Sequence, residues 1–257
     1  MIGGLIASVI LGFFPMFLFA LVIYWLDRFE KEPKVLLGAA FLWGAVISSG
    51  AAFLLNSILG AGIYFISGSE SAANFSVASI IAPVVEEIFK GIAVLLVFLI
   101  FRTEFDSILD GIVYAAVTAL GFAAAENTFY IFSMGFQSAG WPGLLELAFI
   151  RIVLVGWQHP FYTAFIGIGI GIARLSKSTI IKLLTPLLGL CFAIFTHSLH
   201  NTLAPLLSYV RTSGGMILAT QLDWLGWGIM LIFIVLMINR EHKLLQMHLV
   251  EEISYDI

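Results

Sequence analysis

An all-α polytopic membrane bundle is the fold class this sequence predicts, and three observations predict it. Of 257 residues, 61% are hydrophobic and 11% charged, against about 25% charged in soluble domains. The mean hydropathy is +1.06. Apolar residues gather in runs long enough to cross about 30 Å of hydrocarbon at about 1.5 Å per residue. Alternating barrel strands are absent and an open sheet leaves its backbone unpaired in lipid, so the runs read as helices. With no polar coat to separate two cores, residues 1–257 read as one integral membrane domain. Nucleic acid is excluded as a partner, since the net charge is −4 and no Lys/Arg run faces a phosphate backbone. The lipid bilayer of a cell membrane is the expected surrounding, crossed several times.

The first run, 3–26, has no basic leader and exceeds a signal-peptide core, so it is expected to stay as the first span. The second, 35–66, is long enough for a tilted helix plus an interfacial piece, with Gly60, Gly62 and Gly68 available to break it. Further spans are predicted at 77–101, 108–134, 144–173, 180–207 and 222–239, giving seven helices, or eight if the second run divides. The single Cys191 lies inside the sixth run and is expected to be a small buried hydrophobe. Residues 240–257 form a short tail.

Seven spans place the connections alternately on two sides, and the basic residues sort between them. One side collects Arg28, Lys31, Lys34, Arg102, Arg174, Lys177, Lys182, Arg240 and Lys243, whereas the other holds only Arg211. The positive-inside rule then puts the N-terminus outside and the C-terminus in the cytoplasm. Trp141, Trp224 and Trp227 mark the outer interface on this topology, and Trp25 the inner one. The connection Asp27-Arg28-Phe29-Glu30-Lys31-Glu32-Pro33 reads as a solvated cytoplasmic turn.

Charges within spans are costly and by default mark a site or pair with one another. The third span carries Glu86, Glu87 and Lys90, with Lys90 three and four residues from the two carboxylates and so beside both. One cation cannot neutralise two carboxylates, which leaves a negative charge or a shared proton, as a general base in a dry site requires. A structural salt bridge is the plain alternative. The fourth span adds Glu126 and Asn127 after the small-residue face Gly121-Phe122-Ala123-Ala124-Ala125, which admits a neighbouring helix closely. The fifth adds Arg151 and His159, with Pro160 expected to kink the helix beside the site. The sixth adds His197, His200 and Asn201, with His197 and Asn201 one turn apart. Counted inward from the outer helix ends, Glu86, Glu126, Arg151 and His197 lie about 10–16 Å deep, with His159 somewhat deeper, so they can share one cavity. Asp110 and Glu146 fall near helix ends and read as N-terminal dipole partners or interface residues.

A carboxylate base, imidazoles and an amide donor are the parts that activate water and stabilise a tetrahedral oxyanion. His-Glu-x-x-His is absent, as are a Gly-x-Ser-Gly turn and a second membrane aspartate to pair with Asp110, which leaves a glutamate-led hydrolase. Tyr24 to Pro33, Glu86-Glu87-x-x-Lys90, Gly121-Phe122-x-x-x-Glu126-Asn127, the His159 segment and His197-x-x-x-Asn201 follow the order of the PrsW family. The chain therefore resembles a PrsW-type intramembrane protease from Tyr24 to Asn201, distantly similar to CAAX prenyl proteases and bacteriocin-processing enzymes. The resemblance implies catalytic roles for Glu86, Glu87, Lys90, Glu126, His197 and Asn201. It also implies a membrane-spanning or membrane-adjacent protein substrate, such as an anti-sigma factor. Two mechanisms stay open. In one, Glu126, His159 and His197 hold Zn²⁺ while Glu86 or Glu87 is the base; in the other, metal-free, Glu86 activates water and Asn201 lines the oxyanion hole. The rival class is a proton-coupled transporter, which predicts inverted repeats and broken helices in both halves, and these are not evident.

Overall fold

The computed structural model describes residues 1–28, 30–209 and 213–255, with side chains except those of 204–209, 213–220, 222, 244, 245 and 248–255. Phe29 and Arg211 lie outside the described residues. All elements described are helical: α1 (Ile2–Leu26), α2 (Lys34–Leu42), α3 (Ser49–Ser67), α4 (Glu70–Ser76), α5 (Ala82–Ile100), α6 (Ile108–Tyr130), α7 (Gln137–Phe149), α8 (Gln158–Leu175), α9 (Thr179–Tyr209) and α10 (Ser213–Tyr255). π-helical turns at Trp43–Ser48, Val77–Ile81, Ile131–Phe136 and Ile150–Leu154 join or extend them. The protein is a helical membrane protein.

Five helical stretches among the described residues have the length and apolarity of a membrane span: Ile2–Leu26, Lys34–Ser67, Ile108–Leu175, Thr179–Leu203 and Asp223–Lys243. The difference from seven has two physical sources. The helix through α4 and α5 carries Glu86, Glu87 and Lys90 in its apolar window. Ile108–Leu175, at 68 residues, exceeds twice the length of one crossing and reverses at Ala139 and Gly140, whose backbone is non-helical (Gly140 φ 65°). There α7 packs back on the π-helical turn before it, with Gly135 and Gly143 backbone against backbone.

The fifth expected span is broken rather than kinked. Helical geometry ends at Val155 (φ −127°, ψ 12°) and resumes after Trp157. Pro160 thus falls in the first turn of α8, where its missing N–H costs nothing. The Trp224 indole of α10 donates to the Leu154 carbonyl at 3.0 Å, satisfying an acceptor that the break frees. Cys191 is exposed instead of buried. It shares the outward surface of α9 with exposed Leu188 and Phe192, because a lipid-facing surface is as apolar as a core.

α6 is the central post, buried from Leu109 to Ala124 and packed by α1, α2, α5 and α8. Lipid offers no hydrophobic drive for helix association, so close backbone packing of small residues supplies it. A Cβ on Gly111 would fall on the Gly167 carbonyl of α8, and one on Gly167 on that of Gly111. A Cβ on Gly121 would strike the Phe41 carbonyl of α2. This proximity brings the Glu126 end of α6 against α8.

At the opposite end, the connection expected to be solvated is partly buried. Asp27 and Glu32 are 2% and 4% exposed. Asp27 accepts from the Glu32 backbone N–H at 2.9 Å, and the Tyr114 hydroxyl of α6 donates to Glu32. Ser107 and Asp110 form a reciprocal cap on the first turn of α6. Burial pushes the Glu32 carboxyl up to about 8, opposed by the Tyr114 bond and aided by the nearby Asp110 and Asp27 charges. A raised carboxyl favours the folded state while protonated. Its contribution is complete below the ordinary value of 4.5 and is lost as pH rises through about 8. Glu32→Gln should therefore leave the melting temperature in detergent unchanged near pH ~4.5 and raise it above wild type near pH ~9. Parallel melting curves across that range would contradict the burial of this charge.

Candidate active site

The two adjacent glutamates of α5 face different surroundings, because successive helix positions differ by about 100°. Glu87 is fully buried and both of its oxygens are engaged. Oε1 accepts from Lys90 Nζ at 2.5 Å and pairs with His197 Nδ1 at 2.9 Å, while Oε2 accepts from the Thr163 hydroxyl at 2.8 Å. Glu86 has the opposite character. Its buried Oε2 has no hydrogen-bond partner and lies 3.8 Å from both Lys90 Nζ and His197 Nε2. Lys90, also fully buried, sits 4.4 Å from the centre of the Phe122 ring and 3.3 Å from His159 Nδ1.

The Glu87 bond at Nδ1 turns His197 so that Nε2 faces Glu86. The Tyr162 ring stacks on this imidazole at 4.7 Å and 18°. His159 is the second residue of α8, placed by the break at 155–157, and its ring lies edge-on to His197 at 5.2 Å. Its Nε2 is 2.9 Å from Glu126 Oε2. Arg151, on the π-helical turn ahead of the break, forms an ion pair with Glu126, donates from Nε to Asn127 Oδ1 at 2.6 Å and lies over the Tyr130 ring. Asn201 Nδ2 donates to the Ala78 carbonyl at 2.9 Å, linking α9 to the π-helical turn Val77–Ile81. His200 pairs with Asp223 of α10 at 3.0 Å, and Gln158 donates to the same carboxylate at 2.7 Å.

The residues singled out from sequence thus meet on four helices and the π-helical turn that carries Arg151. A cleft of about 1110 Å³ opens onto them, lined by Glu86, Glu126, Arg151, His159, His197 and Asn201 among others. Glu87 and Lys90 stand behind its wall. Three contributors were not singled out from sequence: Thr163, Tyr162 and Asp223. Thr163 follows His159 by four residues on one helical face, a signal available in the spacing. Asp223 is a lone acid at the start of the last apolar run, and nothing in that run names its partner.

One ligand atom each from Glu86, His159 and His197 lie within 4.8 Å of one another. Two imidazole nitrogens and a carboxylate oxygen suit zinc, which takes three protein ligands in catalytic sites. An unpartnered buried carboxylate oxygen is what such an ion would satisfy, and the His197–Glu87 bond is the outer contact that orients a ligating imidazole. The residues therefore fit a metal. The grouping has Glu86 where the sequence pointed to Glu126, since Glu126 is engaged by His159 and Arg151.

Residues 32–238 match the profile of the PrsW family intramembrane metalloproteases. The chain belongs to the PrsW family. It is 32% identical to Protease PrsW of Oceanobacillus iheyensis over 117 residues, which is 45% of this chain and 48% of that protein. It is 28% identical to Protease PrsW of Geobacillus kaustophilus over 151 residues, 59% of this chain and 60% of that protein. The chain thus spans about half the length of the curated relatives it matches. No solved structure matches it. The PrsW profile runs through every helix that lines the cleft, from α3 to α9.

Proposed function

We propose that this PrsW-family chain is a metal-dependent intramembrane peptidase. It cuts a peptide bond of a membrane-spanning or membrane-adjacent protein, a class to which anti-sigma factors belong. The observation that carries the reading is the convergence of Glu86, His159 and His197 beside a second carboxylate, Glu126, on a cleft large enough for a peptide. Glu86, His159 and His197 hold the ion, with zinc best suited to the donor set. Zinc there supplies Lewis acidity to the scissile carbonyl and lowers the pKa of water.

The chain's own groups do the rest. Glu126, the other carboxylate on the cleft, takes a proton as the water oxygen bonds to the carbonyl carbon. It returns that proton to the amide nitrogen as the C–N bond breaks. Arg151 holds Glu126 in place. Glu87 has every oxygen engaged and acts on His197, so its part is positioning. The transporter alternative gains no support from the family match.

The topology follows from the charge sorting, with seven crossings and the cleft in the half of the bundle nearer the Gly68 turn. That half faces outward and the Lys177 connection is cytoplasmic. Trp25 and Trp141, at opposite ends of the bundle, are 62% and 53% exposed, as rings at the two interfaces would be.

Two glutamine variants separate the roles. Glu86→Gln should lose both bound zinc and cleavage, whereas Glu126→Gln should keep zinc and lose cleavage by at least ~10²-fold. Zinc content by elemental analysis and cleavage in liposomes read the two effects. Zinc retained in Glu86→Gln and lost in Glu126→Gln would exchange the two roles; full cleavage by both variants would remove the peptidase reading.

A further inference from the structure

Beside the converging Glu86, His159 and His197, a further histidine opens onto the cleft with a carboxylate behind it. His200 follows His197 by three residues on α9, so the two side chains are neighbours on the helix surface. The Tyr162 ring adjoins both imidazoles, its centre 4.7 Å from that of His197 and 6.3 Å from that of His200. His200 lines the cleft and keeps 18% of its side chain exposed. Asp223 of α10 stands behind it, 12% exposed, with its two oxygens 3.2 and 3.0 Å from His200 Nδ1. The plain alternative is a staple, since Asp223 and the adjacent Trp224 tie α10 to α8 and to the turn before it. A staple, however, has no need to open onto a cleft.

The geometry divides the work between the two ring nitrogens. A carboxylate only accepts, so Nδ1 carries the hydrogen that lies between the imidazole and Asp223, and an ion pair with Asp223 puts a second hydrogen on Nε2. Gln158 Nε2 donates to Asp223 Oδ2 at 2.7 Å and lies 2.9 and 3.1 Å from His200 Nδ1 and Nε2. An atom almost equidistant from both nitrogens at that range would overlap the ring carbons if it lay in the ring plane. The Gln158 amide therefore rests against the face of the imidazole and does not take the in-plane direction of Nε2. Other donors on the cleft are committed. Asn201, which the sequence offered for an oxyanion, donates to the Ala78 carbonyl at 2.9 Å, and Arg151 is engaged by Glu126 and Asn127.

We propose that His200 is a further catalytic residue, donating from Nε2 to the carbonyl oxygen of the scissile bond as that oxygen becomes negative, with Asp223 as its positioning residue. The role rests on the peptidase reading and adds a transition-state contact to it. As the water oxygen bonds to the carbonyl carbon and one water proton passes to Glu126, the carbonyl π pair moves onto the oxygen. The pair returns as the C–N bond breaks and Glu126 gives that proton to the nitrogen. His200 neither gains nor loses a proton in this cycle. Its hydrogen bond is strongest while the oxygen carries charge, so it raises kcat and leaves substrate affinity alone.

The test compares a synthetic single-span Ala/Leu-rich peptide of about 25 residues, in liposomes, with the same peptide carrying a phosphinate at the bond that wild type cuts. The phosphinate is tetrahedral and anionic where the parent is planar and neutral. His200→Phe keeps a ring against Gln158 but has no N–H. It should keep its zinc and its KM, lose about 10²-fold in kcat and weaken phosphinate binding by about the same factor. Asp223→Asn should lower kcat and phosphinate affinity together, by a smaller factor. Should the stranded Asp223 charge unfold the first variant, His200→Phe combined with Asp223→Leu removes that charge and carries the same expectation. Variants that melt lower yet keep wild-type kcat and phosphinate affinity would make the pair a staple and overturn the role. Equal weakening of parent peptide and phosphinate would overturn it too, and both of these results leave the peptidase reading standing. A wild type that cuts no bond of the peptide removes that reading, and this role with it.

Discussion

A carboxylate sealed from solvent, Glu87, is the contact on which the rest of the site depends. It joins three helices, through Lys90 of its own α5, Thr163 of α8 and His197 of α9. Burying one charge in a membrane interior is expensive, and burying a glutamate with a lysine is tolerable only because every oxygen is engaged. Removing one partner of such a pair typically costs about 3–5 kcal/mol. The geometry of His197 follows from this bond: with Nδ1 committed to Glu87, Nε2 turns toward Glu86 and the cleft. The adjacent Glu86, one position round the helix, keeps its buried Oε2 free of any hydrogen bond. Two neighbouring residues of identical chemistry thus divide into one whose oxygens are both engaged and one with an oxygen free of hydrogen bonds.

The second constraint is the distance between backbones. The polar side chains of α5, α6, α8 and α9 meet only if those helices pack closely, and in lipid small residues accomplish this. Gly111 against Gly167 and Gly121 against Phe41 bring α6 near α8 and α2. The break between Leu154 and Gln158 then does what a continuous helix would not. It starts α8 inside the bundle with His159 in its first turn, while the segment before it aims Arg151 at Glu126. A discontinuous span of this kind survives in a membrane where its freed backbone groups find partners, and Trp224 supplies one for Leu154.

Much of this was legible in the sequence. Charged residues in apolar runs are conspicuous, so Glu86, Glu87, Lys90, Glu126, Arg151, His159 and His197 stood out by cost alone, and their common depth foretold that they meet. Depth says nothing of azimuth, however. It could not tell which of Glu86 and Glu126 faces both imidazoles, because a rotation of a few tens of degrees about either helix decides that. Thr163 and Tyr162 escaped notice because neither is costly in a membrane, and both matter only through a neighbour on another helix. The connection at Asp27–Pro33 misled for a related reason. Its alternating charges look solvated until Tyr114, far along the chain, is found to cover Glu32.

Zinc K-edge X-ray absorption on the detergent-purified protein addresses the proposed metal centre directly. Two histidines and a carboxylate predict a first shell of nitrogen and oxygen at about 2.0–2.1 Å with outer scattering from two imidazole rings, and one ring fewer in His197→Ala. A shell of oxygen alone, or a spectrum unchanged in that variant, would contradict a site built on Glu86, His159 and His197.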